Sequence, residues 1–150
     1  MLDFIFISEG IMAIRYVLVV VNVSKALQEK NLAKYTYMVD STGYVGGGTG
    51  EGGNELLTTC KVRDTIQWTV TSINPGNDVA IAKIYGQAVD SGMINVDPIP
   101  SGGVVSTQAY VAKPGTGVQY TMSLILDDSP PMSFDPFITA TPRAPEDDSE

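Results

Sequence analysis

The chain has 150 residues, of which 43% are hydrophobic and 17% charged, a composition that indicates one soluble globular domain and excludes a disordered chain. Seventeen acidic residues against nine basic ones give a net charge of −8. The basic residues are scattered along the chain, so no cluster of positive charge is available to bind phosphates. The sequence therefore predicts no binding to nucleic acid.

The first eleven residues carry no pattern that pairs them with a strand. Met12 directly precedes the first strong strand, and the codons for Ser8–Gly10 could contain a ribosome-binding sequence. We therefore interpret Met12 as the natural start and residues 1 to 11 as a non-native N-terminal extension.

No targeting or membrane segment is expected at the start of the chain. Asp3 and Glu9 flank the first apolar residues, which therefore lack the basic region of a signal peptide. The apolar run from Ile14 to Val23 is interrupted by Arg15 and Asn22 and is too short to cross a bilayer. These features predict a cytoplasmic protein that does not bind a membrane.

The first half of the domain predicts two strands, one helix and a long loop. Tyr16 to Val23 is rich in β-branched residues, which is typical of a strand buried on both faces or paired in the centre of a sheet. Ser24 is placed to cap a helix, which the weak periodicity of Lys25 to Lys34 limits to two or three turns. Strand composition resumes in Tyr35 to Asp40, and the glycines of Ser41 to Asn54 then predict a flexible loop.

The second half begins with clear period-two alternation. Ile66 to Val70 places Trp68 on the inward face, where it is more typical of a core anchor than of a platform for sugars. Asn74 to Asp78 is a strong turn signal and predicts a hairpin between the flanking strands. In the strand from Val79 to Tyr85 the alternation slips near Lys83, which indicates a bulge or an edge.

Three further strands follow, in Val104–Ala112, Val118–Leu126 and Phe137–Thr141. The total is then about seven or eight strands, and their spacing along the chain is that expected of a two-sheet sandwich. The predicted fold is all-β: a two-sheet antiparallel β-sandwich of Ig-like or cupredoxin-like topology, without metal and with one short helix. The domain is predicted to span residues 12–141. Residues 142–150 hold one arginine and four acids and predict a disordered acidic tail.

The absence of histidine restricts the chemistry of this chain. Ser-His-Asp and Cys-His nucleophiles and histidine-ligated metals are excluded. The single cysteine, Cys60, allows no disulfide within the chain and lies at an inward strand position, where an inert buried thiol is expected. The glycine run from Gly46 to Gly53 lacks the Lys-Ser/Thr ending of a phosphate loop, so a strand connection is favoured and a flap over a ligand is the alternative. We predict a protein that is not an enzyme and has no cofactor.

Candidate ligand-binding residues lie in the loops expected at one end of the sandwich. Their side chains combine carboxylate and amide groups for hydroxyls with an aromatic ring for an apolar face. These residues are Tyr44, Asn77, Asp78, Asp127 and Asp128. The alternative is that the acids only form turns, and no Asp-x-Asp-x-Asp-Gly spacing supports a calcium loop.

One segment resembles the scaffold pattern of cupredoxins. Val62 to Trp68 is followed by Lys113–Thr116 and Tyr120, as a corner and a Pro-Gly-Thr turn are placed in that family. The copper ligands are missing, because there is no histidine and Cys60 lies in the wrong strand. The resemblance implies the topology alone.

A second resemblance covers nearly the whole domain, from Met12 to Pro142. It rests on short segments that occur in order: Val17–Val21, Tyr37–Val39, Gly52–Leu56, Asp64–Trp68, Lys113–Gly115 and Asp135–Ile138. Together they are similar to the AidA/PixA inclusion-body family of bacterial proteins. The resemblance implies a small bacterial protein under quorum-sensing or growth-phase control, linked to host interaction and in some members stored as intracellular inclusions.

Two functions follow as expectations. The first is a non-enzymatic, carbohydrate-binding, lectin-like module linked to quorum sensing or host interaction, whose weak single sites would need a homo-oligomer, most simply a dimer, for avidity. The alternative is a self-assembling structural or storage protein of intracellular inclusions. A hydrolase built on acids alone is the least favoured reading.

Overall fold

A computed structural model describes residues 13–41 and 56–143, which form eleven strands and three short helices. The strands are β1 (Ile14–Val21), β2 (Thr36–Asp40), β3 (Leu57–Lys61), β4 (Thr65–Ser72), β5 (Val79–Tyr85), β6 (Ile94–Val96), β7 (Ser106–Val111), β8 (Gly115–Gln119), β9 (Thr121–Leu126), β10 (Met132–Phe134) and β11 (Phe137–Thr141). The helices are α1 (Val23–Glu29), a 3-10 helix (Ala33–Tyr35) and α2 (Gln87–Asp90). The predicted extension over residues 1–11, the glycines of the predicted loop and the tail from residue 144 lie outside the described residues.

Five strands form one sheet in the order β2-β1-β4-β7-β6. β1 runs parallel to β4 from the pair Ile14–Thr65 to the pair Val21–Ser72, whereas β2 and β7 are antiparallel to their neighbours. Runs of β-branched residues fit such a pleated surface well, which explains why the valine-rich β1 lies inside the sheet with a partner on each side.

The opposite layer consists of two three-stranded sheets, β3-β11-β8 and β10-β9-β5. Consecutive strands of the chain pass from one to the other at Tyr120 and at Asp135–Pro136. There, the Tyr120 N–H donates to the Pro136 carbonyl at 2.9 Å, so the pairing is carried across the break. The two small sheets thus meet as the halves of one interrupted layer.

This arrangement confirms the all-β sandwich predicted from the alternation of residues. The pairing is mixed, since β1–β4 and β3–β11 are parallel and the remaining pairs antiparallel. The pairing of β5 with β9 shifts register between Ile81 and Lys83, which confirms the predicted bulge.

The predicted hairpin at Asn74 to Asp78 is wrong. β4 pairs with β1 and β7, whereas β5 pairs with β9, so this turn carries the chain from one layer to the other. Turn residues specify where a chain reverses and not which strand it then joins. Both edges of β4 are already occupied, and β5 therefore pairs elsewhere.

The core lies between the layers, and Trp68 is fully buried at its centre, as predicted. Its Nε1 donates a 3.0 Å hydrogen bond to the hydroxyl of Tyr120, and the two ring centroids are 5.6 Å apart. Burial raises the pKa of the Tyr120 hydroxyl well above its ordinary value. The bond satisfies the one polar atom of the indole in an apolar interior, where an unpaired donor would be destabilising.

A buried carboxylate fixes the corner between β3 and β4. Asp64 is fully buried and accepts hydrogen bonds from the backbone N–H groups of Ala13 and Lys61, both at 2.9 Å. It also pairs with Arg15 at 3.1 Å and with Arg143 at 2.8 Å. The packed domain therefore includes Arg143, which the sequence pattern assigns to the tail.

Helix α1 spans two turns, as the periodicity predicts, but its cap is Asn22 and not Ser24. The Asn22 side chain accepts from the Lys25 N–H at 3.2 Å, while the Ser24 N–H donates to Asn74 Oδ1 at 2.9 Å. Within residues 13–41 and 56–143, no helix is long and apolar enough to span a membrane.

Candidate functional site

The structure brings three of the five predicted ligand residues together. Asp127 follows β9, and its carboxylate accepts hydrogen bonds from Asn77 Nδ2 at 2.9 Å and from the Asp78 N–H at 2.8 Å. The Asp127 N–H donates in return to the Asp78 carbonyl at 2.8 Å. Asp127 adopts a positive φ of 52°, which aspartate tolerates better than most residues. These bonds clasp the turn between β4 and β5 to the end of β9.

The clasp occupies one acceptor position on each carboxylate oxygen of Asp127, so this side chain is held by the fold and only part of its acceptor capacity is left for a ligand. Asp78 and Asp128 are exposed, and neither carboxylate bonds to another residue in the described part of the chain. Tyr44 lies outside the described residues. The ligand-binding role of this set stays a prediction, with its two exposed carboxylates as the groups a hydroxyl could reach.

A groove of about 370 Å³ lies between α1 and the segment after Asp128. It is lined by Leu27, Lys30, Ser129, Pro130, Pro131 and Met132. Sequence reasoning missed this groove, because neither the short helix nor the proline pair carries a motif. The Ser24–Asn74 bond places α1 against the turn of the clasp, so the groove and the clasp share one end of the sandwich.

Cys60 lies in the core, as its strand position predicts. Burial, with a smaller contribution from the nearby Asp64 carboxylate, raises the pKa of its thiol to about 12. A thiol in that state is not a nucleophile at neutral pH. Across residues 13–41 and 56–143, no three Cys, Asp or Glu side chains lie close enough to hold a metal ion together.

The outward side of the five-stranded sheet carries an unexpected apolar surface. β1 is buried on one side only: Val17, Val19 and Val21 face the core, whereas Tyr16 is 52% exposed and Leu18 is 39% exposed. The interpretation of this run as buried on both faces is therefore wrong, although its pairing on both sides within the sheet is confirmed. We call the outward side of this sheet the outer face.

The outer face holds no charged side chain along its paired strands. The register places the following residues on it: Ile14, Tyr16, Leu18 and Val20 of β1; Tyr37 and Val39 of β2; Thr65, Gln67, Thr69 and Thr71 of β4; Ser106, Gln108 and Tyr110 of β7; and Asn95 of β6. The apolar members gather on β1 and β2, where Leu18 pairs directly with Val39. In a chain of net charge −8 this absence of charge is unusual.

The sequence contains the signal for this surface. Ile14, Tyr16, Leu18 and Val20 alternate with the buried valines, but their apolar character makes both faces of the strand look equally suited to the core. Composition cannot identify which face is covered; only the absence of an element above β1 in the described structure does so.

Comparison with known proteins gives a family and a fold. The family model described as "Domain of unknown function (DUF8788)" matches residues 14–132. No curated protein matches the chain. Among solved structures, the crystal structure of an inclusion body protein (PixA) from Burkholderia cenocepacia J2315 is similar, with 14% identity and a TM-score of 0.55 over 88% of this chain and 96% of that one.

The likeness covers nearly all of both chains, and it confirms at the level of the fold the resemblance drawn from the sequence segments. At 14% identity this likeness is evidence for the fold and not for a shared function. The chain belongs to the DUF8788 family of unknown function, and its fold is that of the PixA inclusion body protein.

Proposed function

We propose that this protein is non-enzymatic and that its function is to self-associate, as a cytoplasmic structural or storage protein of the inclusion-body kind. One observation carries the proposal: the outer face presents apolar side chains on β1 and β2 with no charge among them. Ile14, Tyr16, Leu18 and Val39 are each between 39% and 52% exposed on this surface.

Physical chemistry favours a second copy of the chain as the partner of this face. Burying apolar surface contributes about 25 cal/mol per Å², and a contiguous exposed patch marks an interaction site. The net charge of −8 makes two copies repel each other through their charged surfaces. Contact across the uncharged part of the outer face on β1 and β2 avoids the burial of unpaired charges, which would oppose association elsewhere.

Two further observations agree with this function. The similar fold in the comparison is that of a protein named as an inclusion body protein. The chain has no histidine to act as the base of a Ser-His or Cys-His pair, and its only thiol is buried with a pKa of about 12, so these two systems of acyl transfer are missing.

A second candidate function is the lectin-like binding predicted from the sequence. It is favoured by the convergence of Asn77, Asp78 and Asp127 at one end of the sandwich, with Asp128 exposed beside them. The clasp weakens the case for this candidate, because the Asp127 carboxylate already accepts two hydrogen bonds from within the chain. The link to quorum sensing and host interaction belongs to this second candidate.

Static light scattering of the full chain over a wide concentration range tests the proposed function. Self-association predicts a mass that rises with concentration when no ligand is present, and that rises more steeply when added salt screens the net charge. A monomer mass at every concentration and ionic strength would contradict the proposal.

A further inference from the structure

The groove between α1 and the segment after Asp128 contains no residue of the outer face. Its buried side is apolar, because Leu27 and Met132 are partly buried and pack against the core. Pro130 and Pro131 form an exposed wall, and a proline has no backbone N–H that would need a hydrogen-bond partner. The volume of about 370 Å³ is that of a site for a small molecule.

Two hydrogen-bond donors stand at this apolar groove. The Lys30 ammonium and the Ser129 hydroxyl line it, and neither group has a hydrogen-bond or salt-bridge partner among the described residues. An ammonium carries three donor protons and a hydroxyl carries one, so the pair matches an acceptor that bears negative charge. Bonds between an ammonium and a carboxylate are stronger than bonds between neutral groups.

The charge beside the groove also favours an anion, although the whole chain carries −8. The stretch from Val23 to Tyr35 holds three lysines and one acid, Glu29, whose carboxylate pairs with Lys34 at 3.5 Å. Exposed charges more than about 8 Å away are largely screened at physiological ionic strength, so the local excess of lysine has the greater effect. Asp128 precedes Ser129 in the chain but does not line the groove.

The backbone of Lys30 supports a role for its side chain. Lys30 ends α1 in the left-handed conformation, with a φ of 55° and a ψ of 44°. Glycine is the usual residue in this position, because a Cβ makes the conformation unfavourable. Residues held in such conformations cluster at functional sites, so the presence of lysine here favours a role in binding.

We propose that this groove binds a small organic acid with an alkyl tail, of the class of medium-chain fatty acids. Lys30 and Ser129 hold the carboxylate. The tail lies on Leu27 and Met132, and the flexible thioether of Met132 adapts to its shape. This site does not rest on the proposed self-association, since it lies outside the outer face.

Isothermal titration of the full chain with hexanoate, octanoate and decanoate, up to about 10 mM, tests this site. Each added pair of CH₂ groups should strengthen saturable binding by about fourfold if half of their surface is buried and by about fifteenfold if all of it is. Leu27→Asn should weaken the binding of octanoate and of the neutral octan-1-ol alike, because both ligands place the same tail in the groove.

The charge is tested by replacing lysines of the same helix end and helix start. Lys30→Gln should weaken octanoate binding about fivefold and leave octan-1-ol binding unchanged, because only the carboxylate uses the ammonium. Lys25→Gln is the matched control: Lys25 does not line the groove, and the affinity should equal that of the parent. Lys30→Gly should weaken octanoate binding as Lys30→Gln does without lowering the urea midpoint, since glycine accepts a φ of 55° without strain.

The inference is overturned if decanoate does not bind saturably, if the affinity does not rise with the length of the tail, or if Lys30→Gln and Lys25→Gln bind octanoate equally. None of these results bears on self-association, which light scattering measures separately.

Discussion

The indole Nε1 of Trp68 donates to the hydroxyl of Tyr120 across 3.0 Å, and this bond joins the centre of the five-stranded sheet to the junction of the two smaller sheets. Both residues are almost wholly buried, so water cannot replace either partner. Because both polar groups are satisfied only when the two rings lie in this position, the bond favours one packing of the apolar interior over others.

Tyr120→Phe therefore leaves the Trp68 N–H without its partner. We expect the free energy of unfolding to fall by about 1–3 kcal/mol, measured by urea denaturation. Tyr85→Phe, which removes an exposed hydroxyl from β5, is the control and should cost almost nothing. Equal stability of the Tyr120→Phe variant and the parent would show that the bond does not stabilise the core.

Asp64→Asn removes the charge that pairs with Arg15 and Arg143. Arg143 is only 7% exposed, so its guanidinium would remain buried without a countercharge, and we expect a loss of about 3–5 kcal/mol in the free energy of unfolding. The exposed pair Glu29–Lys34 provides the control, and Glu29→Gln should leave stability unchanged. A small loss in both variants would rule out Asp64 as the anchor of the corner.

Asp127→Ala breaks the clasp and also places alanine at a φ of 52°. A loss of about 2 kcal/mol is expected in urea unfolding, whereas Asp127→Asn, which tolerates this φ and keeps one acceptor, should lose less. The neighbouring Asp128→Ala should be neutral, because that side chain makes no bond in the described structure. If Asp128→Ala were as destabilising as Asp127→Ala, the clasp would not be the cause.

The Cys60 thiol predicts a pH dependence. Its pKa is about 12 in the folded chain, against 9.0 for an ordinary thiol, so below pH 9 both states keep the proton and the full stability is present. As the pH rises from 9 toward 12 only the unfolded chain ionises at this site, and stability is lost by at most about 1.4 kcal/mol per pH unit. Relative to Cys60→Ala, the parent should therefore lose about 1.4 kcal/mol between about pH 8 and about pH 10. Identical pH profiles for the two proteins would contradict the burial of this thiol.

Much of the fold follows from local patterns. Alternation in Ile66 to Val70 identifies the strand and the inward position of Trp68, and the slip near Lys83 marks the bulge. Local patterns do not predict which strands pair, because many of the pairs are between strands that lie far apart in the sequence. The turn at Asn74 to Asp78 reverses the chain without forming a hairpin, since both edges of β4 are taken by β1 and β7.

The candidate surfaces were less accessible to sequence reasoning. The proximity of Asn77, Asp78 and Asp127 could be expected from loops at one end of a sandwich. The hydrogen bonds that Asn77 and Asp78 donate to the Asp127 carboxylate depend on the geometry of the folded chain, which the sequence pattern does not give. The outer face was missed because an apolar residue such as Leu18 has the same sequence signature whether it is buried or exposed.

Light scattering on two matched leucine variants tests self-association through the outer face most directly. Leu18 and Leu57 are 39% and 38% exposed, but Leu18 lies on the outer face and Leu57 lies on β3 in the opposite layer. The proposal predicts that Leu18→Lys stays a monomer at concentrations where the parent and Leu57→Lys associate, with all three equally stable in urea. Association of Leu18→Lys to the same mass as Leu57→Lys would contradict it.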